Sequence, residues 1–314
     1  MPRPLLIANP AAGRGQSEHD IAALLAVVRE RVGDVDLVVS ERAGHAAELA
    51  RSAAASGREL VVGLGGDGTL HEIVNGLLAE GPPAGPALAI LALGTGSDFG
   101  RSLGISHDTA AYIEALGAGR RRTVDVGRAG FVGRDGGPMT CYWLNVLSAG
   151  VGGLVDRYVA ALPDGLSGRL AYGLATVGAL TTCRRARLAC RATLGDGSTL
   201  ERELKGYAVA VCNGHTFGGG MRIAPGAVLD DGLFDVVTVE RRTRVTMLRD
   251  FASVYSGTHL TKSGVGHFVC RRLELEPLEP KRRRDVFPLD VDGEPLGDVP
   301  LEVEVVPAAL TVLA

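Results

Sequence analysis

The sequence predicts an α/β domain built on a parallel sheet, followed by a second, mostly antiparallel β domain. Three observations carry this expectation. Short, almost wholly apolar runs alternate with helical patterns over the first third of the chain. Small-residue loops close three of those runs. Near Thr123 the rhythm changes to paired extended segments separated by turn dipeptides.

The elements follow in order. "PLLIAN", "DLVVSE", "ELVVGL" and "ALAILAL" are short and rich in Val, Ile and Leu, as parallel strands covered on both faces should be. Between them, "SEHDIAALLAVVRERV" places Ile21, Leu24, Leu25, Val28 and Val32 at the helical period. "GHAAELARSAAASG" and "TLHEIVNGLLAEG" behave likewise, and each ends in glycine. Strands alternating with helices at this spacing predict a parallel α/β sheet. After "TVDVGRAGFV", the stretch "RARLACRATL-GDG-STLERELKGYAVAVCNG" reads as one hairpin with a Gly-Asp-Gly turn. "GLFDVVTVER", "HFVCRRLELEP" and "PLEVEVVP" add strands, and helices are expected at 166–183 and 244–255. The expected domains are residues 1–124 and 125–314, with residues 305–314 returning to the first.

Composition removes several classes. Of 314 residues, 46% are apolar and 22% charged, which suits a chain with a substantial core. A net charge of -3 argues against a dedicated nucleic-acid binder. Cys141, Cys183, Cys190, Cys212 and Cys270 include no Cys-x-x-Cys, which disfavours a disulfide framework or a zinc site and favours a reducing cytosol. The opening "MPRPLLIANP" is too short in apolar residues for a signal peptide. The most apolar long segment, "LAYGLATVGALTTC", has 14 residues where a bilayer span needs about 20. The histidines show no metal-ligand spacing, and no G-x-S-x-G is present.

The segment "VVGLGGDGTLHE" (61–72) runs an apolar strand into glycines around one aspartate and then into a helix. Gly63, Gly65 and Gly68 satisfy G-x-G-x-x-G, but a dinucleotide site needs an acid about 20 residues on to hold the ribose. Residues 84–92 read "AGPALAILA", without one, and no Gly-Lys-Ser/Thr follows as a P-loop requires. Thr69 and Glu72 are spaced as a capping box, which would start the helix just after the glycines and aim its positive end at one spot. Asp67 would repel a bare phosphate. It implies either a cation nearby, magnesium first, or an aspartate bonding its own loop. Two further loops, "IANPAAGRG" (7–15) and "ILALGTGSDFGRSLG" (90–104), follow other strands. Ligands of open parallel sheets sit beyond the carboxyl ends of strands, so three such loops point to a phosphate compound.

The motifs Asn9-Pro10 with Gly13, "GHA" (44–46), "GGDGTLHEIVNG" (65–76), "GTGSDFGR" (94–101), "GGGMRIAPGAVLDDGLFDV" (218–236) and "LDVDGEPL" (289–296) span nearly the whole chain. In this order they resemble the diacylglycerol-kinase catalytic-domain family, lipid kinases that include sphingosine and ceramide kinases. "GGDGT" alone is shared with NAD kinases. The resemblance implies an α/β nucleotide domain (NAD kinase/diacylglycerol kinase-like) and a β-sandwich domain, with the active site in the cleft between them. It implies ATP contacts at Asn9, Pro10, Ala11, Ala12, Gly13, Ser40, Gly65, Gly66, Asp67, Gly68, Thr69, Leu70, His71, Glu72, Thr95 and Asp98. It also implies a Mg2+ site at Asp231 with backbone oxygens of Val228 and Leu233, linked through water to Asp67 and Asp98. Asp292 and Glu294 become the catalytic acids. The sequence departs from the family pattern at Ala12, Ala92 and Ser97, where serine, proline and asparagine are common.

Phosphoryl transfer needs alignment and charge neutralisation more than covalent help. A carboxylate takes the attacking hydroxyl's proton, and either Asp292 or Glu294 fits that role. By itself "VDGE" is a hairpin turn, as Asp-Gly also is at 135, 164, 196 and 231, so the catalytic reading comes from the resemblance alone. His71 reads as a packing residue. The expected activity is ATP- and Mg-dependent phosphorylation of diacylglycerol to phosphatidic acid by a cytoplasmic protein peripheral to the inner face of the membrane. The expected partner is a membrane lipid met at the bilayer surface, and a homodimer is compatible with this. The rivals are an NAD kinase-like soluble-metabolite kinase and a non-catalytic nucleotide- or lipid-binding regulator. Arginine clusters at 120–122, 184–187, 241–244 and 281–284 are ordinarily solvated faces, and any one of them is a candidate for docking to anionic lipid.

Overall fold

The computed structural model describes residues 2–10, 18–92, 97–106, 108–159, 161, 168–240, 243–278 and 287–314. The chain forms two compact units, Met1–Val126 with Val306–Ala314, and Gly127–Val305.

The first unit contains β1 (Leu5–Ala8), α1 (Glu18–Val32), β2 (Asp36–Val39), α2 (His45–Ala55), β3 (Leu60–Leu64), α3 (Asp67–Leu77), β4 (Ala87–Leu91), α4 (Asp98–Ser102) and α5 (Thr109–Ala118). The strands lie in the order β2-β1-β3-β4, all parallel, with Leu5 opposite both Asp36 and Val61, and Leu60 opposite Ala87. β1 and β4 are buried throughout, as their unbroken apolar runs require, whereas β2 lies at the edge and is half-exposed. Ile21, Leu24, Leu25 and Val28 of α1 are buried at the spacing read from the sequence. α2 packs closely on α3 because residue 76 is glycine: a Cβ there would meet the Ala47 carbonyl and lie 2.8 Å from Ala50 Cβ.

The long strands β5 (Arg121–Gly133) and β14 (Glu294–Leu313) run through both units. The end of β14 lies parallel to β4, with Val312 opposite Leu88, and Ala84 N donates to Ala309 O at 2.8 Å.

The second unit holds β6 (Pro138–Trp143), β7 (Val146–Gly150), α6 (Val151–Val159), α7 (Gly168–Thr182), β8 (Ala186–Leu194), β9 (Thr199–Gly206), β10 (Ala208–Cys212), β11 (Phe234–Val239), α8 (Arg244–Asp250), α9 (Ala252–Tyr255), β12 (Val265–Pro277) and β13 (Pro288–Val291). Antiparallel pairing runs β14-β13-β7-β10-β11-β12 and returns to β14 through Leu275 opposite Leu301. This β-sandwich encloses a core in which Trp143 stacks on Phe234 with ring centroids 4.9 Å apart. Gly127 leaves room for the Trp143 indole, against which any Cβ would collide.

The expected hairpin of residues 186–214 divides. β8 and β9 pair as read, Thr193 opposite Thr199. The chain then breaks at Tyr207, and the buried run of β10 inserts between β7 and β11. Its apolar sequence supplies the reason: β9 is a charged edge strand, while β10 is buried along almost its whole length. Helix 244–255 is likewise two pieces, α8 and α9. Among the described residues, no helix is long and apolar enough to cross a membrane.

Candidate active site

Backbone hydrogen bonds bring the four strand ends of the first unit level with one another. Asn9 N donates to Leu64 O at 3.0 Å, Gly65 N to Leu91 O at 3.1 Å, and Ser40 N to Ala8 O at 2.8 Å. Gly66, extended at φ -94°, is the N-cap of α3 and carries no capping side chain. The first-turn amides and the positive end of an 11-residue helix therefore stand at the tip of β3. Gly65 allows Thr69 to fold over it, since a Cβ there would lie 2.7 Å from Thr69 Cβ. Asn9 Nδ2 donates to Thr69 Oγ1 at 3.0 Å and joins the first loop to the second. Leu70 and His71 are buried, and Asn75 Nδ2 donates to His71 O at 2.8 Å.

The capping box expected of Thr69 and Glu72 is not formed. α3 begins two residues earlier, at Asp67, which moves Thr69 inside the first turn. Glu72 instead serves α2, accepting from Gly44 N at 2.8 Å and Ala46 N at 3.2 Å. A carboxylate at that helix start satisfies amides that α2 leaves open.

Asp67 reaches across to the third loop. Its carboxylate accepts from the Ser97 hydroxyl, from Asp98 N at 3.0 Å and from Phe99 N at 3.4 Å. It thus ties the second loop to the third. Ser97 Oγ also accepts from Gly100 N at 3.1 Å and caps α4. Asp98 pairs with Arg101 at 2.7 Å. Ser97 N donates to the Tyr112 hydroxyl at 3.4 Å, and burial pushes that phenol above its ordinary pKa, which keeps it neutral. Pro10 lies in the turn after β1. Ala11, Ala12, Gly13 and Thr95 lie outside the described residues.

In the second unit, β13 and β14 form a two-residue hairpin with Val291 opposite Glu294. Asp292 (φ 52°) and Gly293 (φ 91°) occupy its centre, both at the positive φ that a type I′ turn demands. The Asp292 carboxylate is buried and accepts from Leu144 N at 2.7 Å, Asn145 N at 2.9 Å and Val146 N at 3.2 Å. Asn213 Nδ2 holds Leu144 O at 2.7 Å, and Asn145 Nδ2 donates to Thr216 O at 2.6 Å. Glu294 is half-buried at the first position of β14.

In the 226–233 loop, Val228 is exposed, and the exposed Asp231 accepts from Leu233 N at 3.0 Å. One carboxylate with backbone oxygens is an all-oxygen donor set, which fits a hard divalent cation that keeps most of its waters. Among the described residues, no three His, Cys, Asp or Glu side chains cluster to cage a metal. The five cysteines are buried free thiols. Burial pushes Cys190 up to about 11 and Cys141 and Cys270 up to about 12, so these three are not thiolate nucleophiles.

Sequence reasoning missed the roles of Ser97, Asn145 and Asn213. Only Ser97 carried a signal, an N-cap residue type before "DFGRS".

Comparison with known proteins adds to this geometry. Residues 3–129 match the diacylglycerol kinase catalytic domain family, and residues 145–314 match the YegS C-terminal NAD kinase beta sandwich-like domain. A YegS-like protein of Chromohalobacter salexigens, named a probable lipid kinase, is 30% identical over 93% of this chain and 90% of its own length. The diacylglycerol kinase of Bacillus subtilis is 27% identical over 96% of this chain and 93% of its own. The crystal structure of a diacylglycerol kinase from Bacillus anthracis superposes with a TM-score of 0.70 at 23% identity, covering 99% of this chain and 96% of that one, a likeness of fold. With both halves and nearly the full length matched, the chain belongs to the diacylglycerol kinase catalytic-domain family.

Proposed function

We propose that this protein transfers the γ-phosphoryl group of ATP to the free hydroxyl of diacylglycerol, forming phosphatidic acid at the cytoplasmic face of the membrane. The observation that carries the reading is the start of α3, where Gly66 at the N-cap follows the tip of β3 while Asp67 is turned to the 97–99 loop. A helix start without a capping carboxylate suits the nucleotide's phosphates. Asn9, the 65–69 loop and Ser40 are the contacts assigned to ATP. Magnesium, held through Asp231 and backbone oxygens of the 228–233 loop, would neutralise phosphate charge when bound.

Glu294 is the assigned proton acceptor. The Asp292 carboxylate is committed to three backbone amides, which makes it the support of the turn that presents Glu294. In the reaction the acceptor oxygen bonds to the γ-phosphorus and the bond from that phosphorus to the bridging oxygen breaks. ADP leaves with the electron pair, and the hydroxyl proton passes to Glu294.

The test incubates purified protein with Mg2+, labelled ATP and dispersed diacylglycerol, sphingoid base, ceramide or NAD. Label in phosphatidic acid supports the reading, and label in NAD alone overturns it. Glu294→Gln should lower turnover by about 10²–10⁴-fold while leaving ATP binding intact.

A further inference from the structure

Among the described residues, five of the ten exposed large apolar side chains lie on α7, α8 and α9. Val245 is 77% exposed, Leu248 48% and Tyr255 43%, and Ala252 between them is exposed as well. Positions 245 and 248 lie one turn apart on α8, as do 252 and 255 on α9, so each helix presents an apolar stripe outward. The neighbouring α7, which packs on α8, exposes Leu174 (50%) and Val177 (43%), again one turn apart.

These stripes are held in place. Thr243 and Thr246 form a reciprocal capping box at the start of α8. Arg244 donates to Cys183 O at 2.6 Å and ties α8 to the end of α7. On the inner side, Val254 packs against the cluster of Ile223, Ala224 and Val237, and Val254 O accepts from Arg222 N at 3.0 Å. The exposed residues are therefore the face that the core leaves outside.

Charge names the occupant. Residues 173–185 and 243–257 contain Arg184, Arg185, Arg244 and Arg249 against one acid, Asp250, within a chain whose net charge is -3. All four arginines are exposed residues, and Arg249 pairs with Asp250 at 2.8 Å. An apolar helical stripe flanked by arginine suits the interface of an anionic bilayer, where the apolar side chains enter the acyl boundary and the guanidinium groups meet phosphate.

We infer that α8 and α9, with the adjoining end of α7, form the surface by which this protein docks on anionic membrane. The inference rests on the lipid-acceptor reading for its purpose, yet it is measured without turnover.

The experiment sediments the full chain with vesicles of phosphatidylcholine alone or mixed with phosphatidylglycerol, in the absence of ATP. Wild type should pellet with the anionic vesicles. Val245→Ser/Leu248→Ser should lower partition at least about tenfold, and Arg184→Gln should lower it about fivefold at low salt and little at high salt. Both variants should keep the wild-type thermal midpoint and wild-type phosphoryl transfer to a water-dispersed short-chain diacylglycerol. Vesicle binding equal to wild type in the serine variant overturns the proposal. So does a wild-type dimer, seen by light scattering, that the serine variant converts to monomer with partition unchanged. Binding to vesicles without phosphorylation of any lipid would sink the kinase reading and leave the docking surface standing.

Discussion

The Asp292 clamp makes the sharpest prediction. Asp292→Asn keeps a residue that tolerates the left-handed φ of 52° at this position, so backbone strain is unchanged. What changes is the set of acceptors. Oδ1 serves Asn145 and Val146, and Oδ2 serves Leu144. An amide has one oxygen, so at least one buried N–H then faces another N–H, and the remaining bonds lose their ionic partner. A hydrogen bond to a charged group contributes about 1.5–3 kcal/mol, and a buried donor left without an acceptor costs about 1–3 kcal/mol. The variant should lose about 2–4 kcal/mol, a large share of the ordinary stability of about 5–15 kcal/mol. The single tryptophan, Trp143, is buried one residue before Leu144, so its fluorescence in urea reports on this unit. The midpoint should fall by about 1 M, and the amides of 144–146 should exchange faster with deuterium. Glu294→Gln, the control, should unfold as wild type does. If Asp292→Asn unfolds at the wild-type midpoint with those amides still protected, yet turns nothing over, then Asp292 acts chemically and the proton-acceptor assignment to Glu294 fails.

Ser97→Ala removes both the cap of α4 and the hydroxyl held by Asp67. It should cost about 1–2 kcal/mol and weaken binding of a non-hydrolysable ATP analogue by about three- to tenfold, read by calorimetry; unaltered affinity would show that the 97–99 loop does not shape the nucleotide site. Gly76→Ala should destabilise by about 1–3 kcal/mol because its methyl meets the α2 backbone, whereas a raised melting temperature would mean that helix propensity outweighs the close approach. Burial pushes His259 below its usual pKa, and burial with the Arg222 charge does so for His215. Both are neutral in folded and unfolded states above about 6.5, so their stabilisation is complete there. It is lost as pH falls from that value through the lower folded pKa, because the unfolded chain takes up protons first. His259→Gln should therefore flatten the fall in urea midpoint below about pH 6.5, and an unchanged slope would refute this.

Much of the fold was legible where one physical cause decides the pattern. β1, β3 and β4 read as strands because parallel strands covered on both faces need no polar residues, and Asp292-Gly293 read as a turn because few other pairs accept two positive φ values. The break at Tyr207 was illegible, since the apolar pattern of β10 does not say which strand it will pair with. The start of α3 read from the Thr69–Glu72 spacing lost because Glu72 found the amides of α2. The candidate site was legible as loops and residue types. Its wiring was not, because Asp67 meets Ser97 thirty residues away and Asp292 meets Leu144 at a separation of 148. No periodicity spans such gaps. α4 was missed because it is a single short turn and α5 because it shows little amphipathic signal, while the Gly152-Gly153 pair of α6 reads as a loop.

The returning segment Val306–Ala314 gives synthesis a direction. When the first 126 residues leave the ribosome they carry the loops that follow β1, β3 and β4, but β4 still presents a bare backbone edge, since β14, which pairs with it, emerges only after all of the other unit. Until then that edge is a template for any passing strand. Maturation of the loop-bearing half therefore waits on the translation of the rest, and a message cut short by a few codons yields a chain with an open seam, suited to proteases and aggregation rather than to partial activity.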